Sequence, residues 1–282
     1  MVQYSVTRYL LFFVAVIMLS LFSCCNGNKK NQPLADSVVR LKNIAYANPG
    51  FKCIHVFVAL CDNRYQGIVP VPPKLGNGQD PDNNLYWGSA YGVSAFFRKS
   101  TDWELIETQK LNDTLLERLV FKNKSAKYYL VADAYNGKYI KRTTVDFLSS
   151  CAGRLKDTLH IQQLVIGIDG NAALLAYIGH DGLMDFHLQP KFSNRDGQVR
   201  DCMVLACDSK SYFGTFLQDA NAHALILTSG LMCPEAYTLH DAVQGYMKSE
   251  PAENIRLRAV AAYNKYQKCG LQFADQLLVS GN

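Results

Sequence analysis

The sequence predicts an α/β domain: a three-layer sandwich with a mainly parallel sheet, helices on both faces and a helical C-terminal part. Short apolar runs rich in β-branched or aromatic residues recur along the chain, and most lack polar alternation, as strands covered on both faces do. Helical patterns fall between these runs, which is the alternation that builds a doubly wound sheet. At 282 residues, 49% hydrophobic and 19% charged, the chain can bury a sizeable core, and one domain over residues 51–282 accounts for all of these patterns.

The strand-like runs are CIHVFVALC (53–61), YYLVADA (128–134), AALLAYIG (172–179), CMVLAC (202–207) and HALILTS (223–229). Segment 82–100 places Leu85, Tyr86, Ala90, Val93, Phe96 and Phe97 close to a helical stripe, and 141–155 and 209–220 do likewise. Segment 162–171 adds a short strand with Asp169 and Gly170 in a turn. Near the C-terminus, 233–247 reads as a helix with Pro234 at its first position. A further helix over 250–270 has Pro251 near its start, Lys265 and Lys268 in its last turn and Gly270 as C-cap. DQLLVSG then offers an edge strand. The loop 62–84, with four prolines directly after the first strand, lies where open α/β sheets bind ligands, and it also reads as a stiff surface connection.

Ahead of the domain, Arg8 is followed by an apolar run over residues 9–22, too short to span a bilayer but suited to a signal peptide. The run ends in LFSC (21–24), which resembles a bacterial lipobox, although Phe22 is an uncommon occupant of its middle position. The resemblance implies a signal peptide over 1–23, lipid attachment at Cys24, and a polar tether over 24–50. The expected location is the bacterial cell envelope, with the domain facing the periplasm or the exterior and meeting the membrane through its N-terminal lipid. An ordinary secretory signal is the other reading. The net charge of +5 is spread along the chain without a Lys/Arg block, so nothing calls for nucleic acid.

Nine cysteines in an exported chain suggest disulfides. Beyond Cys24 and Cys25 there are seven, an odd number, so at least one thiol stays free unless chains pair. No Cys/His spacing matches a metal site, and neither a metal nor a cofactor is expected.

Two strand ends carry the chemistry. In a parallel sheet, residues past the C-terminal ends of the strands share one edge. His180 follows one strand and Cys207 ends the next, so neighbouring strands would bring them to about 5–10 Å. A thiol and an imidazole there form a dyad in which histidine withdraws the thiol proton and later protonates the leaving group. A helix following Cys207 would lower the thiol pKa. Each residue alone also has a plain structural reading, as core filler or strand-end packing. Asp181 and Asp185 are placed to orient His180 or to bind a basic substrate group, and Glu235 to wall a substrate pocket or start a helix. His187 is the reserve base, while His55, His223 and His240 read as structural.

LLAYIGHDG (174–182) and MVLACDS (203–209) resemble, in order and position, the paired motifs of the caspase-like cysteine peptidases, the group that includes caspases, legumain and gingipains. CIHVFVALCDN and GNGQDPDNNLYWG resemble that group's first strand and the segment leading into its first helix. The resemblance covers most of 52–229. It implies Cys207 as nucleophile, His180 as base and acid, and a backbone oxyanion hole near Gly182 and Cys207, acting on a peptide or protein substrate without a cofactor. There are three departures. Asp181 intervenes before the glycine, so either Gly182 is displaced or the Asp181 N–H takes its role. Leu205 replaces the glutamine of caspases proper, so cleavage after aspartate is not implied. The interval of 27 residues between His180 and Cys207 is short. Hydrolysis of another amide or ester bond by the same dyad, and a non-catalytic lipoprotein using the fold as a binding or assembly module, stand beside the peptidase reading. No G-x-S-x-G or P-loop pattern occurs.

Overall fold

A computed structural model describes residues 50–189 and 191–281; the signal peptide, Cys24 and nearly all of the tether lie outside the described residues. The domain is α/β, with a mixed eight-stranded sheet and, among the described residues, six α-helices. No helix among them is long and apolar enough to cross a membrane.

Five strands form the parallel block: β1 (Lys52–Ala59), β4 (Tyr128–Tyr135), β7 (Leu174–Gly179), β8 (Asp201–Leu205) and β9 (His223–Thr228). They lie in the order β4-β1-β7-β8-β9, so the chain reverses its direction of growth between β1 and β7. Outside the carboxyl ends of strands, such a switch point leaves a crevice. Antiparallel strands extend both sides: β3 (Leu115–Asn123) and β2 (Trp103–Lys110) beyond β4, and β10 (Leu278–Val279) beyond β9. A separate hairpin pairs β5 (Lys156–Ile161) with β6 (Leu164–Asp169).

Period-two alternation divides the apolar residues between two cores, one on each face of the sheet. Ile54, Val56 and Val58 of β1 point to the first, with Leu174, Ala176 and Ile178 of β7. That face is covered by α1 (Val93–Lys99), α4 (Ala236–Met247), α5 (Ala252–Gln267) and α6 (Leu271–Leu277). Phe57, Leu175, Tyr177 and Val204 point to the second, covered by α2 (Ile140–Cys151), α3 (Ser209–Asp219) and the β5–β6 hairpin.

Several boundaries differ from the sequence expectation for local reasons. Segment 82–92 is a chain of turns, and helix begins only at Val93. The buried Asn84 side chain bonds Cys61 in both directions, and added Cβ atoms at Gly88 and Gly92 would strike backbone. Strands β2, β3 and β5 and helix α6 have no counterpart in the expected elements. The expected C-cap at Gly270 is taken by Lys268, whose φ is 54° and whose N–H bonds the Asn264 carbonyl; Gly270 starts α6 instead. Helix α4 starts at Ala236 with Glu235 as its N-cap, so Pro234 precedes the helix.

A buried ionic network ties three strands together. Arg118 on β3 makes two 2.7 Å hydrogen bonds to the Asp133 carboxylate on β4. His55 on β1 reaches the same carboxylate through Nε2 at 3.0 Å and accepts the Asp169 N–H at Nδ1.

Candidate functional site

Strand register brings the two motifs level. Ala59 pairs with Gly179 and Ile178 with Leu205, so β7 and β8 are neighbours that end together at the crevice. His180 follows Gly179 directly, and Cys207 stands two residues beyond the last residue of β8. Gly179 has φ 133°, and a Cβ there would run into the Ala59 carbonyl oxygen; only glycine permits that bend before the histidine.

His180 is 6% exposed. Its Nε2 lies 2.7 Å from Asp185 Oδ2, and the other Asp185 oxygen accepts the Gly67 N–H at 3.1 Å. The loop after β1 thus fixes the carboxylate that fixes the ring. Among the described residues no protein group is bonded to Nδ1, so that nitrogen is left for the crevice. Of the two roles expected for Asp185, orientation of His180 matches its position. Replacing Asp185 by Asn is expected to cut dyad-dependent activity about 10–100-fold, the scale of losing a group that orients a histidine. Little change in thermal midpoint is expected, because Asp185 is exposed; steady-state kinetics beside a melting curve checks both.

Cys207 sits on a sharp turn between β8 and α3. Asp208 takes a left-handed conformation (φ 45°) and its N–H bonds the Gly230 carbonyl. Below it, Ser209 and Thr228 form a buried staple: the Ser209 N–H donates to Thr228 Oγ1, the Thr228 N–H donates to Ser209 Oγ, and Ser209 Oγ–H donates to the Val204 carbonyl. The Cys207 sulfur accepts the Met232 N–H at 3.4 Å and lies 3.5 Å from the Met232 carbonyl oxygen. Burial pushes the thiol pKa up, the Met232 backbone opposes the rise, and Asp181 and Asp208 add to it. The sequence expectation of a lowered thiol pKa is therefore corrected: burial is the largest influence and raises it, and the Ser209 N–H at the start of the following helix is already taken by Thr228.

Asp181 and Gly182 are buried beneath this edge. Asp181 Oδ1 accepts the Leu183 N–H, while Oδ2 is buried with no hydrogen-bond partner among the described residues. Burial pushes the carboxyl up to about 7, with Asp208 and Asp185 adding repulsion. Below about pH 4 it is protonated in both the folded and unfolded chain. Between about 4 and 7 the unfolded chain releases the proton and the folded chain retains it, so stability falls as pH rises and is level above that window. Asp181→Asn should therefore gain on the wild type by about 2–4 kcal/mol between pH 4 and pH 8, read from urea midpoints at each pH. The Tyr177 hydroxyl donates to the His180 carbonyl at 2.7 Å. Among the described residues, neither the Asp181 N–H nor the Cys207 N–H has a backbone acceptor.

A cavity of about 550 Å³ opens over this edge, with His180 and Cys207 both in its wall. Gly67, Ile68, Val69 and Val71 of the loop after β1 form one side; Leu231, Met232, Cys233, Pro234 and Glu235 form the other. Glu235 is half-buried, and Oε2 accepts the Tyr237 hydroxyl at 2.8 Å and the Gln267 amide at 3.0 Å. Gly182, Asp181 and Asp185 are not among its lining residues, and His187 is exposed outside it. His55, His223 and His240 are bonded elsewhere, to Asp133, Asp201 and Asp241. All seven cysteines of the domain are free. No group of three or more potential ligands for a metal ion occurs among the described residues.

Residues 231–235 line the cavity, within the segment 228–237 that leaves the fifth strand on this rim and reads from sequence as a pocket wall, whereas Tyr86 and Met184 were missed. Tyr86 lines the cavity from the turns before α1 and stands against the Cys61 thiol; its signal, an aromatic in a helix-like stripe, is that of core packing. Comparisons with protein-family models, curated proteins and solved structures return no match.

Proposed function

We propose that the chain is a cysteine peptidase of the caspase-like group, anchored in the cell envelope through lipid on Cys24 and cleaving a peptide bond without a cofactor. The observation that carries this reading is one cavity walled by both His180 and Cys207, at the switch point of a β4-β1-β7-β8-β9 sheet. The Asp185 bond to Nε2 adds support, because it leaves Nδ1 for the thiol.

Cys207 attacks the peptide carbonyl carbon as His180 Nδ1 takes the thiol proton, and the carbonyl π electrons move onto oxygen. Of the Gly182 and Cys207 amides expected at an oxyanion hole, the Cys207 N–H is the donor for that oxyanion, since Cys207 lines the cavity and its N–H has no backbone acceptor among the described residues. Collapse expels the amine, protonated by His180, and leaves a thioester. Water, deprotonated by His180, then hydrolyses it and restores the thiol. Because the resting thiol is pushed up, it is the proton transfer to His180 that generates the nucleophile.

The test is cleavage of a peptide library by the full chain, read by mass spectrometry, against Cys207→Ser. Cleavage lost in the variant supports the peptidase; identical cleavage patterns overturn it. The second reading, a non-catalytic binding or assembly module, is favoured by one observation: the sulfur is bonded to Met232 and not to His180. Absence of any cleavage by the wild type supports that module.

A further inference from the structure

Resting on the peptidase reading, we infer that the residue whose carbonyl Cys207 attacks carries a long apolar side chain. That side chain starts one bond from the attacked carbonyl, so it must lie against walls adjacent to both reacting groups. Those walls are Ile68, Val71, Leu85, Met184, Met232 and Pro234. At about 550 Å³ the space is within the range of small-ligand sites, about 300–1,000 Å³, and holds a leucine, methionine or phenylalanine side chain with a length of backbone beside it.

Charge recognition is limited to a single carboxylate. No lysine, arginine or aspartate lines the cavity among the described residues. Glu235, its one carboxylate, is tied to Tyr237 on its own helix and to Gln267 on α5. Asp185 is committed to His180 and Gly67. An acidic side chain entering here would lose its water for carbon walls, a cost that nothing repays, and a basic one would have only Glu235, whose Oε2 is already shared by Tyr237 and Gln267. Two further lining residues add to the case: Val69 is 87% exposed and Leu231 72% exposed, apolar surface that a bound apolar segment would cover.

The test uses the full chain and a panel of peptidyl acyloxymethyl ketones that differ only in the residue beside the reactive ketone: Leu, Met, Phe, Ala, Asn, Arg and Asp. The rate of Cys207 modification is read by mass spectrometry. The expected order is Leu, Met and Phe above Ala by about 10–200-fold, the range a hydrophobic pocket achieves, with Arg and Asp below Ala. Equal rates, or Asn, Arg or Asp fastest, overturn the inference while leaving the peptidase reading intact. No modification by any member overturns both. A second variant keeps the walls themselves under test: Met184→Glu, at a 41% exposed position, should raise the Arg-to-Leu rate ratio at least tenfold, and an unchanged ratio counts against the inferred subsite.

Discussion

Replacing His180 by alanine is expected to lower kcat/KM on a cleaved peptide by about 10²–10⁴-fold, the contribution of a positioned general acid–base group. Two features of the site make the effect large. The Cys207 thiol is pushed up by burial, so without a base the thiolate fraction near neutral pH is small. Among the described residues its sulfur contacts only the Met232 backbone as a hydrogen-bonding group, and no second imidazole lines the cavity to substitute. The loss should fall on kcat more than KM, since the apolar walls that bind substrate are untouched. A circular-dichroism melt separates this from unfolding: the deletion removes one ion pair to an exposed aspartate, so the cooperative transition should persist.

The largest effect on stability is expected at Asp133. Burial alone would push its carboxyl up, but the Arg118 and His55 partners outweigh burial and hold it below the ordinary carboxylate range. Asp133→Ala strands the Arg118 guanidinium and the His55 ring in the interior. Breaking a buried pair by removing one partner costs about 3–5 kcal/mol, and three strands, β1, β3 and β4, share the damage. The expected outcome is a lower urea midpoint with little change in slope. The pH dependence follows from the direction of the shift. A carboxyl held low in the folded state contributes stability above its unfolded pKa, and that contribution fades as acid titrates the folded group. The wild type should therefore lose its advantage over Asp133→Ala on acidification below about pH 4.

The parallel block was legible because its strands are buried on both faces and leave unbroken apolar runs; all five appear within two residues of their expected ends. The antiparallel edge was not. In WELIETQK of β2 only Trp103 is buried and the other positions are intermediate or exposed, so the strand leaves no unbroken apolar run to read. The β5–β6 hairpin turns through Gln162 at φ 51°, where sequence offers none of the usual turn residues. Helix α1 is shorter than its apolar stripe because Asn84, Gly88 and Gly92 serve turns that clamp the loop to β1.

At the site, strand ends gave the positions of His180 and Cys207, since parallel register dictates a common edge. Asp185 was legible only as one of several carboxylates, because its pairing depends on a short turn at Gly182–Met184 and on Gly67 from a distant loop. The thiol pKa went the other way from expectation because burial is a tertiary property that helix position does not reveal.

The most direct measurement of the central claim is the rate at which a peptidyl acyloxymethyl ketone modifies Cys207 in the wild type and in His180→Ala, with a melting curve of each protein beside it. The activated dyad predicts a peptide-ketone rate at least about 10²-fold slower in His180→Ala, with the cooperative melt retained. Equal peptide-ketone rates in the two proteins would contradict it.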